Sequence, residues 1–205
     1  MFLRVATGQS KAARLALASD VTRVSDKLHQ RRHAARFPFW IGLAFGAIGT
    51  AAGVGLLQLG LGRAQTGLVI TSSIILTVTL QPLIKIAVGS LLGVRYSHFF
   101  FFGIEPRFKM RYGTYLSAER WRRVLLHLSG TVGSPLAFWW VALRTEGILA
   151  RASAICWGLF LLLVAVQVLA FLLGILGVKR LGPLGAVRHT SGGAAAYEIR
   201  EAVSS

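Results

Sequence analysis

Apolar residues in this chain come in four long blocks, not in the alternating or striped patterns of a water-soluble domain. The blocks lie at about 39–60, 66–92, 123–143 and 153–177. Each is close to the roughly 20 residues that a helix needs to cross about 30 Å of hydrocarbon. The pattern therefore predicts an all-α integral membrane protein with four transmembrane helices in a domain spanning residues 37–178.

The segment between the second and third blocks has a different pattern. Apolar and basic residues alternate over 108–112, and residues 103–107 contain turn-forming glycine and proline. Alternation with period two is typical of a strand. We predict a short β-hairpin at about 97–116, with the four phenylalanines at 99–102 reaching into the membrane interface.

The two ends of the chain are polar and basic. Residues 11–36 place Leu17, Val21, Val24 and Leu28 at helical spacing, which predicts a basic amphipathic helix on the membrane surface within an N-terminal segment of residues 1–36. No signal peptide is expected before the first span. Residues 179–205 are predicted to form a C-terminal tail.

The net charge of +16 is explained by the positions of the basic residues. They concentrate in residues 1–36, between the second and third blocks, and in the tail, whereas the other two loops hold few. Positive charge thus alternates with each crossing, which predicts that both termini are cytoplasmic, in a plasma membrane of bacterial type. This surface favours anionic lipids of the cytoplasmic leaflet as partners. The sequence contains no aromatic-basic recognition module, so we expect no nucleic-acid partner.

Small residues mark one face of the first predicted span. Gly42, Gly46, Gly49 and Gly53 fall roughly on the same side of the helix, and small residues let helices approach closely in lipid. Two interpretations are open: a face that forms a dimer, or packing against the chain's own next span.

Several short motifs occur in the order known from one protein family. Leu91–Arg95 reads Leu-Leu-Gly-Val-Arg and follows an apolar segment, and the predicted hairpin comes next. Gly133-Ser134-Pro135-Leu136-Ala137 then resembles a G-P-x-A-N helix, with Ser134 inserted and Phe138 in place of the asparagine. Thr190–Ala194 resembles an S-D-G segment. Over roughly residues 66–200 the chain resembles the site-2 proteases, a family of zinc-dependent intramembrane proteases.

The resemblance also implies where the active site of such a protease would lie. The first zinc histidine of H-E-x-x-H falls on Gln81, the glutamate base on Pro82, the second histidine on Lys85, and the aspartate ligand on Gly192. A hydrolytic zinc site needs three protein ligands and a base. Since all four positions have changed, the resemblance implies a catalytically inactive relative without a metal or other cofactor.

Lys85 needs an explanation, because a lysine at the centre of a span costs about 2.5–3.5 kcal/mol on insertion scales. Its side chain could reach the headgroups, fill the space of the lost zinc ion beside Gln81, or contact a partner protein.

Two functions follow from these observations. The first is a pseudoprotease that serves as a structural or accessory subunit, or holds transmembrane partners, with Ser134, Pro135 and the glycine face as candidate contacts. The alternative is a small transporter or lipid-handling protein that uses Lys85 and Gln81 as a polar path. The spans hold few other ionisable groups, which disfavours the alternative.

Overall fold

A computed structural model describes residues 11–31, 35–102, 105–178 and 190–203 of the chain. The helices are α1 (Lys11–Arg31), α2 (Phe39–Gly62), α3 (Thr66–Leu91), α4 (Tyr112–Ser117), α5 (Arg120–Thr145), α6 (Ala150–Ile175) and α7 (Ser191–Val203). The strands are β1 (Arg36–Pro38), β2 (Tyr96–Phe102) and β3 (Glu105–Met110).

The four predicted spans correspond to α2, α3, α5 and α6. These helices have 24 to 26 residues, and each is long and apolar enough to cross a membrane. At 1.5 Å per residue they are about 36–39 Å long. Helix α5 begins at Arg120, three residues before the predicted block, so its first turn includes Arg122 and Arg123.

The bundle packs in chain order, with α2 on α3, α3 on α5, and α5 on α6. Its core includes Leu57, Val69, Leu76, Val141 and Cys156, which are fully buried. Burial of large apolar side chains at the contacts between helices therefore defines the centre of the molecule.

The glycine face of α2 lies against the chain's own neighbours. A Cβ at Gly46 would lie 2.7 Å from Leu83, and one at Gly53 would lie 2.8 Å from Leu76, both on α3. Gly49 faces Thr79 of α3, and Gly42 faces the rings of Phe99 and Phe108 in the sheet. These glycines permit close packing inside the molecule, so this face is covered in the structure.

The predicted hairpin is present and gains a third strand. Strands β2 and β3 pair antiparallel, and β1 adds to the outer edge of β2 in the order β1-β2-β3. The predicted end at residue 116 was wrong, because residues 112–117 form α4. Arg111 N donates to Arg95 O at 2.8 Å and ends the ladder, after which the chain turns into that helix.

Helix α1 is shorter than predicted and rests on the hairpin end of the bundle. It ends at Arg31, and residues 36–38 form strand β1 instead of helix. Val21 is buried in a cluster that includes Tyr115 and Leu116 of α4. The Thr22 hydroxyl accepts a bond of 2.9 Å from Gly113 N. The predicted apolar position Leu28 has a side chain that lies outside the described part.

The C-terminal segment contains a helix that the sequence did not predict. Helix α7 packs against α5 and α6, and Ala195 and Ala196 are fully buried. A Cβ at Gly174 of α6 would lie 2.6 Å from the Cβ of Ala196. Small residues on both helices thus allow α7 to lie close to the bundle.

Candidate functional site

Gln81 joins α3 to α5 through both ends of its amide. Its Nε2 donates to Gly130 O at 3.2 Å, and Ser134 Oγ donates to its Oε1 at 3.0 Å. Gly133 makes this approach possible, because a Cβ there would lie 2.6 Å from the Gln81 Cα. The two helices therefore make a close polar contact at a point where each also holds a proline.

The two prolines lie next to the residues of this contact. Pro82 follows Gln81 in α3, and Pro135 follows Ser134 in α5. A proline inside a helix removes one backbone donor and leaves the carbonyl four residues earlier without its helical partner. Both helices are thus locally weakened at the same contact, and the Gln81 side chain bridges them there.

Lys85 lies one helical turn beyond Gln81 and is half-buried. Its Cδ is 3.5 Å from the point where a Cβ of Gly130 would be, and Ser191 Oγ of α7 is 2.5 Å from the same point. Tyr96 of β2 donates its hydroxyl proton to Lys85 O at 2.9 Å. The lysine stem therefore lies on the side of α3 that faces α5 and α7.

Gly192 takes a different position from the one that the resemblance implies. Its N–H donates to Gln167 Oε1 of α6 at 3.2 Å, and a Cβ there would lie 2.7 Å from Gln167 O. The residue of α7 that lies beside Gly130 and Lys85 is Ser191. Gln81, Lys85 and Ser191 thus lie around Gly130, and Ser134 is bonded to Gln81; we call these five residues the polar cluster.

A second group of polar side chains fixes α7 to the start of α5. Arg123 is fully buried, and its Nε donates to Glu198 Oε2 at 2.9 Å. Its Nη2 is also 2.9 Å from that oxygen, and its Nη1 donates to Ala118 O at 3.0 Å. Glu198 is 7% exposed. This is a buried ion pair between two helices.

Tyr115 of α4 extends this pair. Its hydroxyl donates to Glu198 Oε1 at 2.6 Å and lies 2.9 Å from His127 Nε2 on α5. Burial raises the pKa of the Tyr115 phenol well above 10, and the negative charge of Glu198 raises it further. We call Arg123, Glu198, Tyr115 and His127 the ionic anchor of α7.

Helix α1 is held by a buried lysine. Lys109 of β3 donates to Ser25 Oγ, lies 3.6 Å from Asp26 Oδ1, and stacks 4.4 Å from the centre of the Tyr112 ring. Burial lowers the pKa of Lys109, and the neighbouring Asp26 partly offsets that effect. These contacts fix α1 to the sheet, away from the polar cluster.

An apolar groove of about 360 Å³ lies between α5 and α6. Pro135, which follows Ser134 of the polar cluster, lines this groove. Gln167, which accepts from Gly192 N, also lines it. The other residues that line it are Thr131, Val132, Leu136, Trp139, Phe160, Val164 and Val168. The groove lies between two of the helices that are long and apolar enough to cross a membrane.

Metal-binding side chains do not gather in the part of the chain that the structure describes. No three His, Cys, Asp or Glu residues come together there. His127 is the imidazole of the ionic anchor, whereas the polar cluster holds an amide, an amine and two hydroxyls.

Sequence reasoning missed the ionic anchor. Arg123 is one of several basic residues whose positions predict topology, and Glu198 belongs to none of the motifs. A signal was present in the helical register, because Arg123 lies three, seven and ten residues before Leu126, Gly130 and Gly133, which all face the bundle. A basic residue in register with a buried face predicts a buried partner.

No family model matches this chain, and neither a curated protein nor a solved structure matches it.

Proposed function

We propose that this protein is a non-catalytic relative of the site-2 proteases that binds transmembrane segments of partner proteins, as a structural or accessory subunit of a membrane complex. The observation that carries the proposal is the convergence of Gln81, Lys85 and Ser191 around Gly130. Gln81 and Lys85 come from α3, Ser191 from α7 and Gly130 from α5, and the first three lie in segments that the sequence motifs relate to one protease site. An amide, an amine and a hydroxyl replace the ligands and base that hydrolysis would require.

The groove between α5 and α6 supports transmembrane binding. It is apolar along most of its length and has Thr131 and Gln167 as polar groups. A partner helix could bury apolar side chains there and place a polar group beside Gln167. Association of helices in lipid depends on such packing and on hydrogen bonds between helices.

A cross-linking experiment in native membranes tests this proposal. A photoreactive amino acid at Val132, which is 51% exposed and lines the groove, should yield a defined adduct with a membrane protein through one of its transmembrane segments. The matched control is Ile74 on α3, which is 52% exposed and lies outside the groove. Equal adducts from both positions, or none from Val132, would contradict the proposal.

Metal content and proteolysis provide an independent test. The proposal predicts that protein purified without added metal contains zinc far below one equivalent and cleaves no transmembrane substrate. Stoichiometric zinc together with chelator-sensitive cleavage would make the protein an active protease.

The alternative of a transporter has less support. From Gln81 toward the N-terminal end of α3, the described core contains apolar residues such as Leu57, Val69 and Leu76. The buried hydroxyls of Ser72 and Thr79 in this region are bonded to backbone carbonyls. A polar path would have to continue through this region. Lys85→Leu separates the two functions, since lost flux with intact assembly would favour transport, and lost adducts at Val132 would favour partner binding.

We further propose that the hairpin end of the bundle faces the cytoplasm and contacts anionic lipid. Exposed Arg95 and Arg111 lie at this end. Each basic residue near an anionic surface contributes about 1 kcal/mol. Replacing both arginines by glutamine should reduce the anionic phospholipid that remains bound after mild detergent extraction, whereas Arg63→Gln and Arg151→Gln at the opposite end should not.

A further inference from the structure

The surface of α5 and α6 beneath α7 has the properties of a binding site for a helix. It presents Gly130 and Gly174, where another helix can approach closely, and the buried guanidinium of Arg123, which needs a carboxylate. Gln167 lies in this surface and also lines the groove between α5 and α6, so the two surfaces are continuous.

Helix α7 is poorly suited to form by itself. It has 13 residues, and two of its first three are glycines. Isolated helices below about 12–15 residues are marginal in water, and glycine is a poorer helix former than alanine. Its helical structure therefore depends on the contacts that it makes with α5 and α6.

Few of those contacts come from large apolar side chains. The buried residues of α7 include glycines and alanines at 192, 193, 195 and 196, which remove little apolar area from water. Glu198 supplies the strongest directional contact, through Arg123 and Tyr115. Removal of one partner from a buried ion pair is strongly destabilising, because it leaves the other charge buried without a partner, so α7 should be released when the Glu198 charge is lost.

We propose that α7 occupies in cis a helix-binding surface that also accepts a helix of a partner protein. The partner that fits has small residues opposite Gly130 and a carboxylate seven residues later, the spacing of Ser191 and Glu198, which places the two groups about 10 Å apart along the helix. This inference deepens the proposed function, on which it rests, by giving the partner segment a sequence pattern.

Release of α7 is measured by thiol labelling of the full chain in lipid nanodiscs. Cys156→Ala removes the native thiol, and Ser191→Cys places one beside Gly130. We expect slow reaction with a water-soluble maleimide in this parent and at least about tenfold faster reaction after Glu198→Gln. Glu119→Gln is the matched control, because Glu119 pairs with Arg122 at 3.6 Å on the exposed side of α5. It should leave the rate unchanged.

Three results would overturn the inference that α7 can leave the surface of α5 and α6. One is an equal labelling rate with Glu198→Gln and the parent. Another is fast labelling of the parent itself. The third is loss of the whole fold in Glu198→Gln, judged by hydrogen exchange of α2 and α3, since α7 would then be an inseparable part of the fold.

Binding in trans is measured with a labelled peptide of residues 190–203 and the full chain carrying Glu198→Gln. We expect saturable binding that weakens at least about tenfold when the peptide also carries Glu198→Gln. Equal binding of both peptides, or binding of neither, would overturn the inference. The proposed function would still stand if Val132 gave its specific adduct, and it fails separately if Val132 does not.

Discussion

Gly133 lies against the backbone of Gln81, so close that a Cβ on the glycine would be 2.6 Å from the Gln81 Cα and 3.3 Å from its nitrogen. Backbone atoms cannot move aside as the end of a flexible side chain can. The close approach of α3 and α5 at this point therefore depends on the absence of a side chain at residue 133.

Gly133→Ala should destabilise the protein because it forces α5 away from α3. Overpacking of this kind costs about 1–3 kcal/mol. Gly158→Ala in α6 is a matched control, since no atom lies within 4 Å of the added Cβ. Thermal unfolding in detergent should show a lower midpoint for Gly133→Ala, and an unchanged or higher midpoint for the control, because alanine is the better helix former. A midpoint equal to that of the unaltered protein would show that α3 and α5 adapt without cost.

The bond between Gln81 and Ser134 should be measurable as a coupling energy. Hydrogen bonds between helices in membranes average about 0.6 kcal/mol, with a maximum near 1.7. Unfolding of Gln81→Leu, Ser134→Ala and the double variant should give a coupling in this range, while Thr131→Ala with Gln81→Leu should be additive, since the Thr131 hydroxyl bonds within its own helix to Leu128 O. Full additivity at 81 and 134 would mean that the bond does not hold the helices together.

Two adjacent arginines should differ widely in their importance for stability. Arg123→Met leaves Glu198 buried without its partner and should cost about 3–5 kcal/mol. Arg122→Met removes a partly exposed pair with Glu119 and should cost at most about 1 kcal/mol. Equilibrium unfolding of the two variants makes the comparison. Arg123→Met combined with Glu198→Leu should recover stability, because apolar residues can replace a buried ion pair.

Alkaline pH should weaken the protein through Tyr115. The folded phenol has a pKa above the unfolded value near 10. Above pH 10 the unfolded chain therefore releases this proton before the folded chain does, and the free energy of unfolding falls as pH rises. Burial also raises the pKa of Tyr96 and Tyr112, so tyrosinate absorbance should show a late phase from several tyrosines, and Tyr115→Phe should lower its amplitude. If Tyr115→Phe left the amplitude of the late phase unchanged, Tyr115 would not contribute to it.

The sequence predicted the four long helices and the hairpin because each has a strong local pattern. Strand β1 has three residues, too few for a period to be read, and it exists only because β2 offers a partner. Helix α7 begins with Ser-Gly-Gly, which disfavours a helix until α5 and α6 supply contacts. The C-terminal tail and the longer α1 were predicted from charge and periodicity alone. These two patterns do not indicate which part of the protein a segment packs against.

The candidate site was partly predictable for the same reason. Motif order pointed to Gln81, Lys85 and the region of Gly192, and the structure places the first two near Gly130. The order of motifs could not indicate that Ser191, and not Gly192, lies beside Lys85, because neighbouring residues of a helix point about 100° apart. Pairing of Arg123 with Glu198 joins residues 75 positions apart, and no local pattern contains that information.

The contact between Gln81 and α5 also bears on synthesis. Gly130 O, which accepts from Gln81, is made 49 residues later. At about 5–20 residues per second, the ribosome needs roughly 2–10 s to make that stretch. During this interval α3 must stay in or near the membrane with a glutamine, a proline and a lysine that have not met α5 or α7. Until α5 is made, the Gln81 amide has neither the Gly130 carbonyl nor the Ser134 hydroxyl as a partner.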